Sequence, residues 1–258
     1  MRHPSYQADM RSSLVGRLLL RAFHLRHLPH LANTSLLLER TARGRPVVAG
    51  RAALAPDANV SHSGDWVVLA GGLGRVGVDV MRTRDSRVDR LDRFFSLMRG
   101  QFTEGEWRSI RGEQGEGERS KEKQQKQLER FFRHWTLKES FVKAVGTGLN
   151  LDLQTLDFRV GSAEVAAGRV EEGTVLVREG AATAWRFQES RIDSEHLASV
   201  CLEEGEEKKE EGREVERFTD LTVGEVLAMF PTSPSAVFRP PNPADFELYD
   251  RKLRTKPF

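Results

Sequence analysis

The chain predicts an α+β fold. Apolar residues recur at helical spacing in well-separated stretches. Short β-branched and aromatic runs, bounded by Gly, Pro or Asn, fall between them. The order helix, strands, helices, strands separates the two kinds of element along the chain, as α+β folds do. With 258 residues and 38% apolar content, the chain can bury a core as one large domain or two small ones.

The first helix begins within about ten residues of Met1, with Met10, Leu14, Leu18, Ala22 and Leu25 along one stripe. Residues 35–39 read as a strand, 41–45 as a basic turn containing Gly44, and 46–48 as a return strand. A polar loop at 59–65 leads into the apolar run 66–70, Gly71 and Gly72 mark a turn, and 76–80 forms a second run paired with the first. Helical spacing resumes over 85–98, and Thr103 with Glu106 three residues later has the pattern of a capping box. Residues 111–127 read as a solvated loop or fraying helix, before a strong helix over 128–145 that closes on Gly146 and Gly148. Strands return at 156–160, 174–177, 183–188 and 197–202. Eight glutamates within 203–216 leave almost nothing apolar, so this segment is expected to be disordered. Beyond it lies one helical candidate, 223–229, in a tail read as outside the core.

Charge and cysteine usage exclude several classes of function. Forty basic residues against 38 acidic ones give +2, so no global field favours nucleic acid or an anionic membrane. Cys201 stands alone, which excludes an internal disulfide framework and a cysteine-rich zinc site and makes the cytosol the expected compartment. The run 14–28 is broken by Arg17, Arg21 and Arg26, far from the ~20 apolar residues of a membrane span.

Four local groups carry candidate chemistry. Asp79 ends an apolar strand, either as a turn former or as a ligand for Mg²⁺, a hard cation held by carboxylates and phosphate oxygens. Trp135, Glu139 and Lys143 recur four apart on one helical face, partly buried by Phe141 and Val145. Opposed to Asp79, Glu139 could complete a metal site or act as a general base. The string Asn59-Val60-Ser61-His62-Ser63-Gly64-Asp65 is either a polar loop with a satisfied histidine or the set of small polar groups a phosphate pocket uses. The turn Arg40-Thr41-Ala42-Arg43-Gly44-Arg45 is either solvated or a set of guanidinium forks for phosphate.

In order, the arginine turn, Asn59 to Trp66, Val76-Gly77-Val78-Asp79-Val80-Met81, Phe102 to Trp107 and Trp135 to Gly146 resemble the surfactin-type branch of the 4′-phosphopantetheinyl transferase family. The similarity covers roughly residues 8–202 and is strongest to its animal members. It implies two similar α/β halves forming a pseudo-dimer, with coenzyme A (CoA) in the cleft between them. On that pattern the halves are 1–75 and 76–202, followed by an acidic segment 203–217 and a mostly irregular tail 218–258. The resemblance assigns CoA contacts to Arg40, Thr41, Ala42, Arg43, Gly44 and Arg45 and to Asn59, Val60, Ser61 and His62. It adds Asp79 and the string Glu139-Ser140-Phe141-Val142-Lys143, with Asp79 and Glu139 holding Mg²⁺ and Asp79, Glu139 and Lys143 serving catalysis.

The implied activity is that of a holo-acyl-carrier-protein synthase, moving phosphopantetheine from CoA to a carrier serine and releasing adenosine 3′,5′-bisphosphate. Glu139 would take the serine proton, and Lys138 and Lys143 would stabilise phosphate charge. The implied partners are carrier domains such as those of fatty acid synthase and of aminoadipate-semialdehyde dehydrogenase in lysine breakdown, met by a monomer. Two departures bear on this. Met81 stands where many bacterial relatives have a second acid, and a thioether is a poor Mg²⁺ ligand. The family also has strands before the helix at Asp9, and an arginine where Ala8 stands, so the first half is expected to be truncated at its N-terminus. The alternatives are a non-catalytic relative that binds CoA or carrier protein without transfer, and a nucleic-acid binder resting on Arg40, Arg43 and Arg45.

Overall fold

The structure, a computed structural model, describes residues 4–28, 36–50, 55–84, 91–112, 121–203 and 217–230. It is α+β, as the sequence predicts. Of the predicted elements, Ser35, the first part of the helix at 85–98, part of the loop at 111–127, the acidic run after Glu203 and the tail after residue 230 lie outside the described residues.

Helix α1 (Pro4–His27) is followed by a hairpin of β1 (Leu38–Arg40) and β2 (Pro46–Val48), then by a second hairpin of β3 (Asp57–Ser63) and β4 (Trp66–Gly72). Helix α1 seats on β3 and β4 through two glycines. A Cβ on Gly16 would lie 3.0 Å from Val60 Cγ1, and one on Gly71 would lie 2.5 Å from Phe23 Cε2. This close approach turns α1 so that Gly16, Leu20, Ala22, His24 and Leu28 are buried while Leu14 is 60% exposed, which rotates the predicted stripe. It also explains why Gly71 and Gly72 belong to β4: the aromatic ring needs bare backbone inside a strand. The turn falls one step later, at Leu73 and Gly74.

Strand β5 (Val76–Arg82) precedes α2 (Leu91–Leu97), α3 (Glu104–Arg111) and α4 (Lys121–Val145). Then come β6 (Asp157–Arg159), β7 (Val170–Glu171), β8 (Val175–Arg178), β9 (Ala181–Ala182), β10 (Trp185–Arg191), β11 (His196–Glu203) and α5 (Val223–Ala228). Strands β5, β11, β10 and β7 form one antiparallel sheet in that order, and β6, β8 and β9 a smaller one. The expected pairing of β4 with β5 does not occur, because the partner of β5 is β11, which brings Asp79 opposite Ser199. Helix α3 opens on the predicted capping box, Thr103 Oγ1 accepting the Glu106 N–H at 3.1 Å and Glu106 Oε2 accepting the Thr103 N–H at 2.8 Å. Helix α4 starts at Lys121, earlier than its apolar pattern, and ends on Gly146 with φ +68°.

Helix α4 packs on one face of the sheet, where Leu137, Phe141 and Ala144 meet Leu156, Phe187 and Cys201. On the other face Val76, Val78 and Val80 pack with Val68, Ala198 and Val200, and Phe218 covers them. Residues 217–230 are therefore part of the fold. Its short helix α5 buries Val226 and lies against α1. The sequence hides this because one aromatic and one valine do the packing, separated by a polar cap at Thr222 and Glu225.

Candidate active site

Strand β3 is the first determinant of the site. Its alternate residues Asp57, Asn59, Ser61 and Ser63 turn toward β5 and accept that strand's outward N–H groups. Asp57 Oδ2 takes Val76 N–H at 2.8 Å, Asn59 Oδ1 takes Val78 N–H at 2.9 Å, Ser61 Oγ takes Val80 N–H at 3.4 Å and Ser63 Oγ takes Arg82 N–H at 3.0 Å. Side chains thus stand in for a neighbouring strand and satisfy the β5 edge. The expected polar loop is this strand, with a tight turn at Gly64 (φ +56°) and Asp65. Asn59 and Ser61 are buried on the seam, while His62 is exposed on the opposite face of β3.

Glycine 77 is the second determinant. A Cβ there would lie 2.5 Å from Ala144 N and 3.0 Å from Ala144 Cα, so the helix backbone crosses directly over this residue. That crossing brings Glu139 and Lys143 beside Asp79. Lys143 Nζ donates to Asp79 Oδ1 at 2.6 Å, to Ser61 Oγ at 2.9 Å and to the Val78 carbonyl at 3.1 Å, and Ser61 Oγ donates to Asp79 Oδ1 at 2.8 Å. Burial pushes the Asp79 carboxyl above the usual carboxylate range, against the pull of Lys143 and Ser61. Burial also raises Glu139, and the nearby Asp79 charge raises it further. Asp79 Oδ2 is buried with no hydrogen-bond partner among the described residues. An unpartnered carboxylate oxygen beside a second carboxylate is a donor set that suits a hard divalent cation. Among the described residues no group of three or more His, Cys, Asp or Glu is placed to hold a metal ion.

A cavity of about 600 Å³ is lined by Thr41, Ala42, Arg43 and Arg45 of the arginine turn, by β2, by Asp57 of β3, by Leu73 to Arg75 and by Ala144 to Gly146, which directly follow Lys143. A second hollow, of about 630 Å³, runs along the N-terminal half of α4 and contains none of the predicted site residues.

Comparison with known proteins agrees with this architecture. Residues 2–73 match the family model described as 4′-phosphopantetheinyl transferase, N-terminal, and residues 75–201 match that of the 4′-phosphopantetheinyl transferase superfamily. The chain belongs to this superfamily. It is 36% identical over 206 residues to the L-aminoadipate-semialdehyde dehydrogenase-phosphopantetheinyl transferase of Xenopus laevis, covering 78% of this chain and 65% of that protein. The human protein of that name is 35% identical over 202 residues, covering 76% of this chain and 62% of its own length. A 4′-phosphopantetheinyl transferase of Aneurinibacillus migulanus is 29% identical over 147 residues, covering 57% of this chain and 53% of that protein. The chain thus spans less than two thirds of the animal relatives named here.

Within this superfamily member, the structure joins Asp79, Lys143 and Ser61 by hydrogen bonds, places Glu139 near enough to feel the Asp79 and Lys143 charges, and lines the cavity with the arginine turn. Other predicted residues point elsewhere. Ser140 is buried and donates to the Leu137 carbonyl within its own helix, Phe141 is in the core, and Val142 is buried. Lys138 is wholly buried on another face, where its Nζ meets Glu106 Oε2 at 2.8 Å and the carbonyls of Leu153 and Leu156. It cannot reach a phosphate in the cleft, which corrects the expected pairing of its role with that of Lys143. Sequence reasoning missed Asp57, whose signal was the polar alternation that also contains Asn59, Ser61 and Ser63. It also missed Arg75, which lines the cavity, pairs with Glu203 at 2.6 Å and lies over the Trp185 ring at 5.0 Å. Among the described residues no helix is long and apolar enough to cross a membrane.

Proposed function

We propose that this chain transfers the 4′-phosphopantetheine arm of CoA to a carrier-protein serine, as a Mg²⁺-dependent holo-acyl-carrier-protein synthase. The observation that supports it best is the convergence of Asp79, Glu139 and Lys143 beside an arginine-bordered cavity. In this reading the units 1–75 and 76–202 are the two halves that flank CoA. Arg40 and Arg43 face its phosphates as guanidinium forks, and His62, exposed on β3, is a further contact. Asp79 and Glu139 would hold Mg²⁺, which when bound neutralises pyrophosphate charge.

The carrier serine Oγ attacks the β-phosphorus of CoA. The new P–O bond joins serine to phosphopantetheine, the bond to adenosine 3′,5′-bisphosphate breaks, and the serine proton passes to Glu139. Glu139 is the half-buried carboxylate that lies close enough to feel the Asp79 charge, which puts a proton acceptor at the reacting centre. Lys143 sets its ammonium toward the phosphates while it and Ser61 hold the Asp79 carboxylate in orientation. The carriers proposed are domains of fatty acid synthase and aminoadipate-semialdehyde dehydrogenase, modified by a monomer in the cytosol.

The test mixes the chain with CoA, Mg²⁺ and an apo carrier protein and seeks a phosphopantetheine adduct on serine by mass spectrometry. A folded sample that yields no adduct overturns the proposal and favours the non-catalytic reading. Asp79→Ala is expected to abolish transfer, and an unchanged rate would discard the metal assignment.

A further inference from the structure

We infer that Arg45 and Asp57 form a clasp that positions the last turn of α4, and with it Lys143, rather than a binding site for a CoA phosphate. The inference rests on the transfer reading above. The Arg45 guanidinium is already committed. Its Nη1 donates to the Lys143 carbonyl, and its Nη2 donates to the Val76 carbonyl at 2.6 Å and to the Asp57 carboxylate. Asp57 Oδ2 closes the ring by accepting the Val76 N–H at 2.8 Å. Four separate pieces of chain, the arginine turn, β3, β5 and α4, are thereby joined by two side chains.

The Lys143 carbonyl is among the last four of α4, which have no partner inside the helix. Arg43 Nη1 supplies a second cap by donating to the Gly146 carbonyl at 3.2 Å. Two guanidinium groups at the negative end of a helix are favourable both as donors and as charges. The Arg45 side chain is only 14% exposed, and the Asp57 carboxylate beside it would repel a phosphate. Arg40, by contrast, is exposed and bonds only within its own turn, to the Gly44 carbonyl at 2.6 Å, among the bonds described. Arg45 lines the cavity but its donors are spent on the clasp, so positioning belongs to it and phosphate contact to the exposed Arg43 that lines the same cavity.

The test compares Arg45→Gln, Arg45→Lys, Asp57→Asn and the double variant Arg45→Gln/Asp57→Asn, using CoA, dephospho-CoA and an apo carrier protein. The clasp predicts that kcat falls about tenfold to a hundredfold in all three single variants, because a shift of about 1 Å at the reacting groups costs that much. The KM for CoA stays within about threefold, and the double variant is no worse than the singles. A phosphate-ligand role predicts another pattern: KM rises for CoA but not for dephospho-CoA, Arg45→Lys is rescued, and Asp57→Asn is harmless or binds CoA more tightly. That pattern overturns the clasp.

Amide exchange provides a readout that needs no turnover. Exchange at residues 144–148 should quicken at least about tenfold in each variant while β10 and β11 keep their protection. Unchanged exchange at the helix end, or a uniform rise across the chain, overturns the clasp. A wild-type chain that transfers nothing sinks only the transfer reading and leaves this exchange test in force.

Discussion

Replacing Gly77 with alanine tests the geometry of the site at its narrowest point. The backbone of Gly77 does not have positive φ, so alanine brings no conformational strain, and its only effect is steric. The added Cβ would stand 2.5 Å from Ala144 N, where ordinary contact begins near 3.4 Å, and closer still to the Ser140 carbonyl oxygen, so α4 must retreat or β5 must bend by at least about 0.9 Å. The obstructing atoms are helix backbone, which no rotamer change can move aside. Overpacking of this kind costs about 1–3 kcal/mol in stability. The larger effect falls on the site, because the same displacement draws Lys143 and Glu139 away from Asp79, and about 1 Å at reacting groups costs on the order of a hundredfold in rate. The assay is a pair of measurements, urea unfolding and the rate of carrier modification. Gly100→Ala is the control, since a Cβ there meets nothing within 4 Å. If Gly77→Ala transfers at the wild-type rate with wild-type stability, the close crossing of α4 over β5 is not what sets the site.

Other consequences of the structure are open to measurement. Lys138→Met leaves buried Glu106 without its cation and should cost about 3–5 kcal/mol in urea unfolding while leaving the KM for CoA unchanged; a changed KM with intact stability would put Lys138 back in the cleft. His134 is held down to about 3 by burial, chiefly, and by Arg133 and Lys138, so the native state keeps it neutral while the unfolded chain takes up a proton below about 6.5. The unfolded state then binds more protons, so stability contributed by neutral His134 is complete above that pH. It is lost, at about 1 kcal/mol per unit, as pH falls toward the native value. Unfolding of His134→Gln between pH 4 and 7 should show a shallower slope than wild type, and equal slopes would refute the assignment. Val226→Asp places a charge where α5 meets α1 and should lower the melting temperature by several degrees; an unchanged melt would mean that the contact contributes nothing.

Local chemistry made much of this molecule legible. The capping box at Thr103 and Glu106, the hairpin turn around Gly44 and the glycine end of α4 each depend on a few neighbouring residues, and each forms as the pattern requires. The buried faces of α1 and the course of the last segment did not follow from pattern. Leu14 is exposed because Gly16 and Phe23 fix how α1 sits, and Phe218 is covered because a strand sheet far away in sequence offers it a surface. Such choices depend on partners that no window of sequence contains.

By itself the sequence determined which groups could do chemistry: the order of the arginine turn, the polar string, Asp79 and the Glu139 helix suffices to identify the family. Only the tertiary structure decided which of those groups meet. Lys138 and Lys143 lie five residues apart on one helix, and rotation of about 100° per residue sends the first into a buried pair with Glu106 and the second to Asp79. In the same way Asn59 and Ser61 read as phosphate donors until their alternation is seen to match the free edge of β5. The reason is physical: a hydrogen-bonding group shows in the sequence what it can bind, and only its distance and direction in the folded chain choose what it does bind.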